Sequence, residues 1–256
     1  MKTPLNGLRC FRDPWSQTFE FFSPHVRISA VLFLVAIFLS ACSSGGIFGQ
    51  FGKVSDDFAF EKSLDSSRWQ VGTPLLAEMA QRFDSALVEP QLTFDQSGLR
   101  MAGVNGMYQF TGVQSKRSFS PPFTVRTSVM GAVANGNAFG LYIISENLGQ
   151  GFKLEGNVNP RGYRGLWIAH AKTSGENVFR KADVNQWYSI VVKIDARGIG
   201  TMSVADDRGT ALATREGWPT GGLGPFFVVL GQRAGAPLTV GPNEAVWASV
   251  EVAPGL

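Results

Sequence analysis

Glu155, Asn157 and Asn159 stand two residues apart in the run Glu155-Gly156-Asn157-Val158-Asn159. On a strand that spacing sends all three side chains to one face. One carboxylate and two amides so placed can accept from and donate to hydroxyl groups. They do not make an acid/base pair, because an amide cannot give up and retrieve a proton at neutral pH. Other titratable candidates are sparse. The chain has two histidines, His25 and His170, and neither has a recognisable partner, which argues against a histidine-based zinc site or a histidine-dependent triad. Asp206-Asp207 before Arg208-Gly209 reads as a hairpin turn.

The elements that must position these residues are strands. After Leu87 the pattern has period two, in short segments separated by Gly, Pro and Asn, as in antiparallel all-β folds. Leu92–Phe94 and Leu99–Met101 flank the turn Asp95–Gly98. Further strands are expected at Gly112–Phe119, Pro121–Val129, Ala138–Ile144, Phe152–Val158, Trp187–Ile194, Gly200–Ala205, Pro225–Leu230 and Ala245–Val252. A two-sheet sandwich explains the alternation, each strand burying every other residue between the sheets. Parity points Phe123, Val125, Val129, Phe139, Leu141, Ile143, Leu154, Val158, Leu166 and Ile168 inward from one sheet. Tyr188, Ile190, Val192, Ile194, Phe226, Val228 and Leu230 meet them from the second. One helix is expected, capped by Thr73-Pro74, with Leu75, Leu76, Met79, Ala80 and Phe83 on one stripe.

The same parity turns Arg126, Tyr142, Glu155, Asn157, Asn159 and Trp167 outward on neighbouring strands, beside the small Ala138 and Gly140. An aromatic ring stacks on the apolar face of a pyranose, amides and carboxylates satisfy its hydroxyls, and small residues leave it room. A sugar-binding surface follows from that combination. The same residues also fit a plain polar outer face with Trp167 packed under a loop. Gly231-Gln232-Arg233, at the end of a core strand, either reaches this face or anchors a loop.

The other reactive residue is Cys42. Twelve uncharged residues, Ile28 to Leu39, follow Arg27, the length of a signal-peptide core and too short for a permanent membrane span. Leu39-Ser40-Ala41-Cys42 resembles the lipobox of bacterial lipoproteins, and the resemblance implies that the Cys42 thiol takes a diacylglyceryl group before cleavage. An ordinary signal, or an anchor helix with an incidental cysteine, is the plainer reading. Residues 1–41 are thus expected to be a signal peptide, and 42–53 a lipidated Gly/Ser-rich tether. Residues 54–253 are the expected folded domain. The stretch before Arg27 carries Asp13 and Glu20 and is long for an export signal, so translation from Val26 is an alternative start. By resemblance to enterobacterial sorting, Ser43 after the cysteine favours the outer over the inner membrane of the cell envelope.

Composition narrows the partners. Residues 1–41 hold four of the chain's 23 Lys/Arg and two of its 20 Asp/Glu, so the remainder carries 19 against 18. That near balance excludes a nucleic-acid-binding protein. Of the two cysteines, Cys10 lies in the leader, so no disulfide is expected in the mature domain and the core alone must stabilise it.

Several runs resemble concanavalin A-like lectin/glucanase domains. They are the opening Asp56-Asp57-Phe58 and Leu64-Asp65-Ser66-Ser67-Arg68-Trp69, the pair Gly112–Phe119 and Phe123–Val129, and the closing Trp247–Val252. The resemblance implies a jelly-roll sandwich over Asp56 to Val252. It also places Glu155-Gly156-Asn157-Val158-Asn159 where family-16 glycoside hydrolases carry a Glu-x-Asp-x-Glu or Glu-x-Asp-x-x-Glu strand, whose first Glu is the nucleophile and last Glu the acid/base. Glu155 matches the first position, Asn157 replaces the Asp, and Asn159 or Pro160 replaces the last Glu. The implied protein is therefore an envelope lipoprotein that binds a carbohydrate or glycoconjugate without cleaving it. The alternatives are a hydrolase or lyase that pairs Glu155 with Glu78, Glu89 or Glu146, and a structural or docking lipoprotein. No cofactor is expected. Calcium is common in the resembled fold, but no EF-hand-like ligand spacing marks a site.

Overall fold

A computed structural model describes residues 53–133, 136–158, 164–170, 176–179, 182–234 and 242–255. In chain order the elements are β1 (Val54–Asp57), β2 (Trp69–Gln70), the helix α1 (Pro74–Arg82), β3 (Ala86–Leu87), β4 (Gln91–Asp95), β5 (Gly98–Ala102), β6 (Gln109–Ser115), β7 (Phe123–Val133) and β8 (Gly136–Ser145). Then follow β9 (Gly151–Val158), β10 (Arg164–His170), β11 (Glu176–Phe179), β12 (Trp187–Ile194), β13 (Ile199–Asp206), β14 (Ala211–Pro219), β15 (Phe226–Ala234) and β16 (Glu244–Pro254).

The strands form two antiparallel sheets, the expected jelly-roll sandwich. The first runs β14-β13-β12-β7-β16-β5-β4, with β1 on β16, and the second β11-β10-β9-β8-β15-β6-β2, with the two-residue β3 parallel to β6 at its side. Between them lies one core, into which Phe123, Val125, Val129, Phe139, Leu141, Ile143, Leu154, Leu166, Ile168, Tyr188, Ile190, Val192, Ile194, Phe226, Val228 and Leu230 all point, as alternation predicts. Each such side chain, fully buried, contributes on the order of 1.5 to 3 kcal/mol.

Sheet membership differs from the sequence expectation in two places. The Phe123–Val133 strand pairs with β12 and β16, and so belongs with Tyr188–Ile194. The Phe226–Ala234 strand pairs with β8 and β6, on the other layer. Parity assigns a side chain to the core or to the outside, but long-range register alone decides which sheet a strand joins.

Asp56 ties the two layers at one edge. Its carboxylate, on β1, accepts from Trp69 Nε1 of β2 at 2.7 Å and pairs with Arg68. The Asp206 turn closes the β13–β14 hairpin, its carboxylate accepting from the amides of Arg208 and Thr210.

The helix begins as expected: Thr73 accepts from the Leu76 amide through its side chain, and Pro74 opens the first turn. Its apolar stripe, Leu75, Leu76, Met79 and Ala80, does not join the main core. It packs with Phe110, Tyr142, Ile144 and Val229 on the outer surface of the β8–β15–β6 region, forming a second apolar cluster. A large part of the face expected to be open is therefore covered.

Candidate functional site

The outer face of the second sheet is built from alternate residues of β9, β8, β15 and β6. Lys153 and Glu155 of β9 face Tyr142 and Gly140 of β8 in register. Tyr142 in turn pairs with Val229 and Gly140 with Gly231 of β15, and Gly231 with Gly112 of β6. Three glycines in one row would leave a trough across the sheet. The Tyr142 ring fills it: a Cβ on Gly140 would stand 2.3 Å from the Tyr142 hydroxyl, and one on Gly231 would stand 3.3 Å from both the Tyr142 and Phe110 rings. Phe83, at the C-terminus of α1, lies over this pair with ring centroids 5.4 Å from Phe110 and 5.7 Å from Tyr142. Tyr142 does project from the predicted face, but it is wholly buried there.

Glu155 is 4% exposed and held from two sides. Arg233 Nε donates to Oε1 at 2.7 Å and Nη2 to Oε2 at 2.9 Å, while the Tyr142 hydroxyl donates to Oε1 at 3.1 Å. Such a two-pronged pair is both strong and directional. Burial alone would raise the Glu155 carboxyl, but the Arg233 charge and its hydrogen bonds hold it below the ordinary value of 4.5. Tyr142 moves the opposite way, pushed well up by burial and by the adjacent carboxylate. Glu155 is therefore a fixed anion at neutral pH, with both oxygens already engaged.

Two cations approach one ring. Lys153 Nζ lies 4.8 Å and Arg233 Cζ 5.0 Å from the Phe83 centroid, within cation–π range. Burial lowers the Lys153 pKa.

The remaining expected residues divide three ways. Asn157, two residues beyond Glu155 and partly exposed, stays on this face. Trp167 is the register partner of Glu155, between core residues Leu166 and Ile168, and its side chain lies outside the described set. Asn159 and Cys42 also lie outside the described residues. Arg126 is a correction. It sits on β7, in the opposite sheet, and pairs with Glu251 at 3.2 Å, so it cannot join the Glu155 face. Its outward parity was right, but adjacency to Tyr142 required a β7–β8 pairing that the fold lacks.

Lys153 and Arg233 are the contributors that the sequence left unassigned or undecided. Lys153 follows from parity, two positions before Glu155. Arg233 needs the β15–β8–β9 register, which no local pattern encodes.

The face is open again beyond the N-terminal half of α1. A cleft of about 300 Å³ is lined there by Gln70, Gln114, Lys116, Phe227, Glu78 and Glu146. A neighbouring one of about 560 Å³ shares Glu78 and Glu146 and adds Asn147 and Gln150. Both fall in the size range of small-ligand sites. Glu89 lines neither. Among the described residues no three His, Cys, Asp or Glu side chains come together as a metal site.

No family model matches the chain, and no curated relative matches it. Solved structures do resemble it. The endo-β-1,3-glucanase from Pyrococcus furiosus aligns with a TM-score of 0.54 at 11% identity, over 79% of this chain and 94% of that one. The apo Crh5 transglycosylase aligns at 0.53 and 12%, over 80% and 85%. Peanut lectin aligns at 0.52 and 11%, over 78% and 97%. At these identities the likeness establishes the fold, that of concanavalin A-like lectin/glucanase sandwiches.

Proposed function

We propose that the protein is a lipid-anchored envelope lipoprotein whose sandwich binds a carbohydrate or glycoconjugate without cleaving it. Glu155 carries the reading. It stands where the resembled hydrolases hold their nucleophile, yet Arg233 and Tyr142 occupy both its oxygens, and an amide, Asn157, follows where an acid would be. Attack on an anomeric carbon needs a carboxylate lone pair free to point at it, and a second carboxyl to move the proton. A buried, pinned Glu155 suits recognition instead, not as a contact but as the anchor that fixes Arg233 beside the partly exposed Lys153 and Asn157 before any ligand arrives. The sandwich shared with a glucanase, a transglycosylase and a lectin supports a saccharide as the partner.

The test is a glycan array probed with the full chain in detergent, alongside a reducing-end assay on β-glucans and galactans. Binding by at least one glycan class, weakened about ten-fold by Asn157→Ala and unaccompanied by cleavage, is expected. If no glycan binds, the protein-docking reading replaces this one. Anchoring is tested separately. Cys42→Ala should abolish palmitate labelling and release the protein from the membrane fraction, and Ser43 points to the outer membrane as the destination.

One observation favours a second reading. Glu78 and Glu146 line the same two clefts, and carboxyls about 5 to 10 Å apart across an open cleft are what glycoside hydrolysis requires. Release of reducing ends that is lost in both Glu78→Gln and Glu146→Gln would make the protein an enzyme working there rather than at Glu155.

A further inference from the structure

Charge on the outer face of the second sheet does not balance. Arg233 and Glu155 neutralise one another through two direct hydrogen bonds. Lys153 is left over. Among the described residues no ion pair reaches it, and its register partners across the sheet, Tyr142 and Ala169, supply no carboxylate. It is nevertheless half-buried, with its ammonium over the Phe83 ring and the Arg233 guanidinium within 5.0 Å of the same ring centroid. A partly desolvated cation beside a second cation is unfavourable unless an anion is brought to it. The methylenes of a methionine would cover the same ring without that cost. Burial is the main cause of the depressed Lys153 pKa; the Glu155 charge offsets part of it and Arg233 adds to it, and no carboxylate is paired directly with the ammonium.

Everything around the surplus charge suits a saccharide carrying an anion. Asn157, partly exposed on the same strand, offers an amide for hydroxyls, and Trp167 occupies the register position opposite Glu155. Glu155 holds the guanidinium of Arg233 in place, with its plane fixed by the paired bonds, and 22% of the Arg233 side chain still faces solvent. We propose that Lys153 and Arg233, joined across Phe83, form the recognition point for an acidic saccharide, whose carboxylate or sulfate accepts from the Lys153 ammonium while its hydroxyls meet Asn157. This deepens the carbohydrate reading of the same face and rests on it. Neutral glycans leave the Lys153 charge uncompensated and are discriminated against.

The test titrates the full chain in detergent with oligogalacturonate and with chondroitin sulfate fragments, each beside its uncharged counterpart, the carboxyl-reduced or the desulfated oligomer. Three variants are compared, Lys153→Met, Lys153→Arg and, as a control at an exposed lysine of the opposite sheet, Lys193→Met. At least one acidic oligomer is expected to bind about ten-fold or more tightly than its neutral counterpart. Lys153→Met should erase that preference, while Lys153→Arg and Lys193→Met keep it. Which acid binds tells a carboxylate site from a sulfate site. Equal binding of acidic and neutral oligomers, or a preference that survives Lys153→Met, overturns the inference and leaves saccharide binding standing. If neither these oligomers nor any glycan on the array binds, both readings fail together.

Discussion

Arg233 reaches across β8 to grip Glu155 of β9 with two N–H···O bonds, joining two strands that do not pair with each other. The grip is what turns a nucleophile-like position into a structural anchor. Removing one partner leaves the other as a buried, uncompensated charge, a change that costs about 3 to 5 kcal/mol in fully buried pairs. Arg233 keeps 22% of its side-chain surface, so Glu155→Gln should cost less, about 2 to 3 kcal/mol after allowing for solvent screening. Replacing both, as Glu155→Leu with Arg233→Met, should recover most of the loss. Urea titrations of Glu155→Leu, Arg233→Met and the double variant check this, and strictly additive losses would refute the coupling.

Acid should weaken the same pair. The folded-state pKa of Glu155 is depressed, so its contribution is fully present above the ordinary value of 4.5 and is lost as pH falls through the folded value. Melting temperatures of the wild type should therefore drop more steeply on acidification than those of the Glu155→Leu/Arg233→Met variant. Parallel curves would mean that Glu155 takes no part.

Lys153 gives a slope of the same sign at higher pH, for a different reason: here folding disfavours the charged form. Its folded-state pKa lies below the ordinary 10.5, so between the two values the unfolded chain holds more protons and stability rises with pH. Lys153→Met should flatten that rise and leave the protein at least as stable at neutral pH. The comparison is made below pH 10.0, the ordinary value above which the raised pKa of Tyr142 begins to act in the other direction.

Alternation placed the core residues it named from Phe123 to Leu230 wherever their side chains are described, because a two-sheet sandwich converts period two into inside and outside; it failed at Ala138, expected on the outer face but turned into the core beside an irregularity in the β8–β9 register. The helix was equally legible, from Thr73-Pro74 and the stripe through Ala80. What the stripe packs against was not. An apolar helical face says only that something covers it, and the cover here is Tyr142, Phe110 and Val229 on the outside of a sheet. That is why Tyr142 has the predicted direction and yet no exposure. Arg126 misled for a related reason, since facing outward is a property of one strand and sharing a face is a property of the pairing. Sequence separations of 78 residues for Arg233–Glu155 and 13 for Tyr142–Glu155 are invisible to any local pattern.

The filled trough makes Gly140 a sensitive position. An added Cβ would meet the Tyr142 hydroxyl at 2.3 Å and its ring carbons at 2.5 Å. The ring is enclosed by Phe110, Phe83 and Glu155 and has little room to yield. Gly140→Ala should therefore cost about 1 to 3 kcal/mol by overpacking, and in a Tyr142→Leu background it should cost less. A melt showing no loss in either background would place the Tyr142 ring elsewhere.

Ile168 and Trp167 test fold and function at adjacent positions of β10. Ile168 is 1% exposed in the core, so Ile168→Ala should lower folding free energy by about 2 to 5 kcal/mol through lost transfer energy and a cavity. Position 167 pairs in register with Glu155 rather than with the core side of β9. If a saccharide runs over this face, Trp167→Ala removes a stacking contact of about 1 kcal/mol, weakening glycan affinity several-fold with little change in melting temperature. Thermal melts and glycan titrations on both variants separate the two effects. A Trp167→Ala protein that melts early while Ile168→Ala melts normally would invert the assignment of the two positions. If Trp167→Ala instead binds glycans and melts as the wild type does, the saccharide is held by Lys153, Arg233 and Asn157 without position 167.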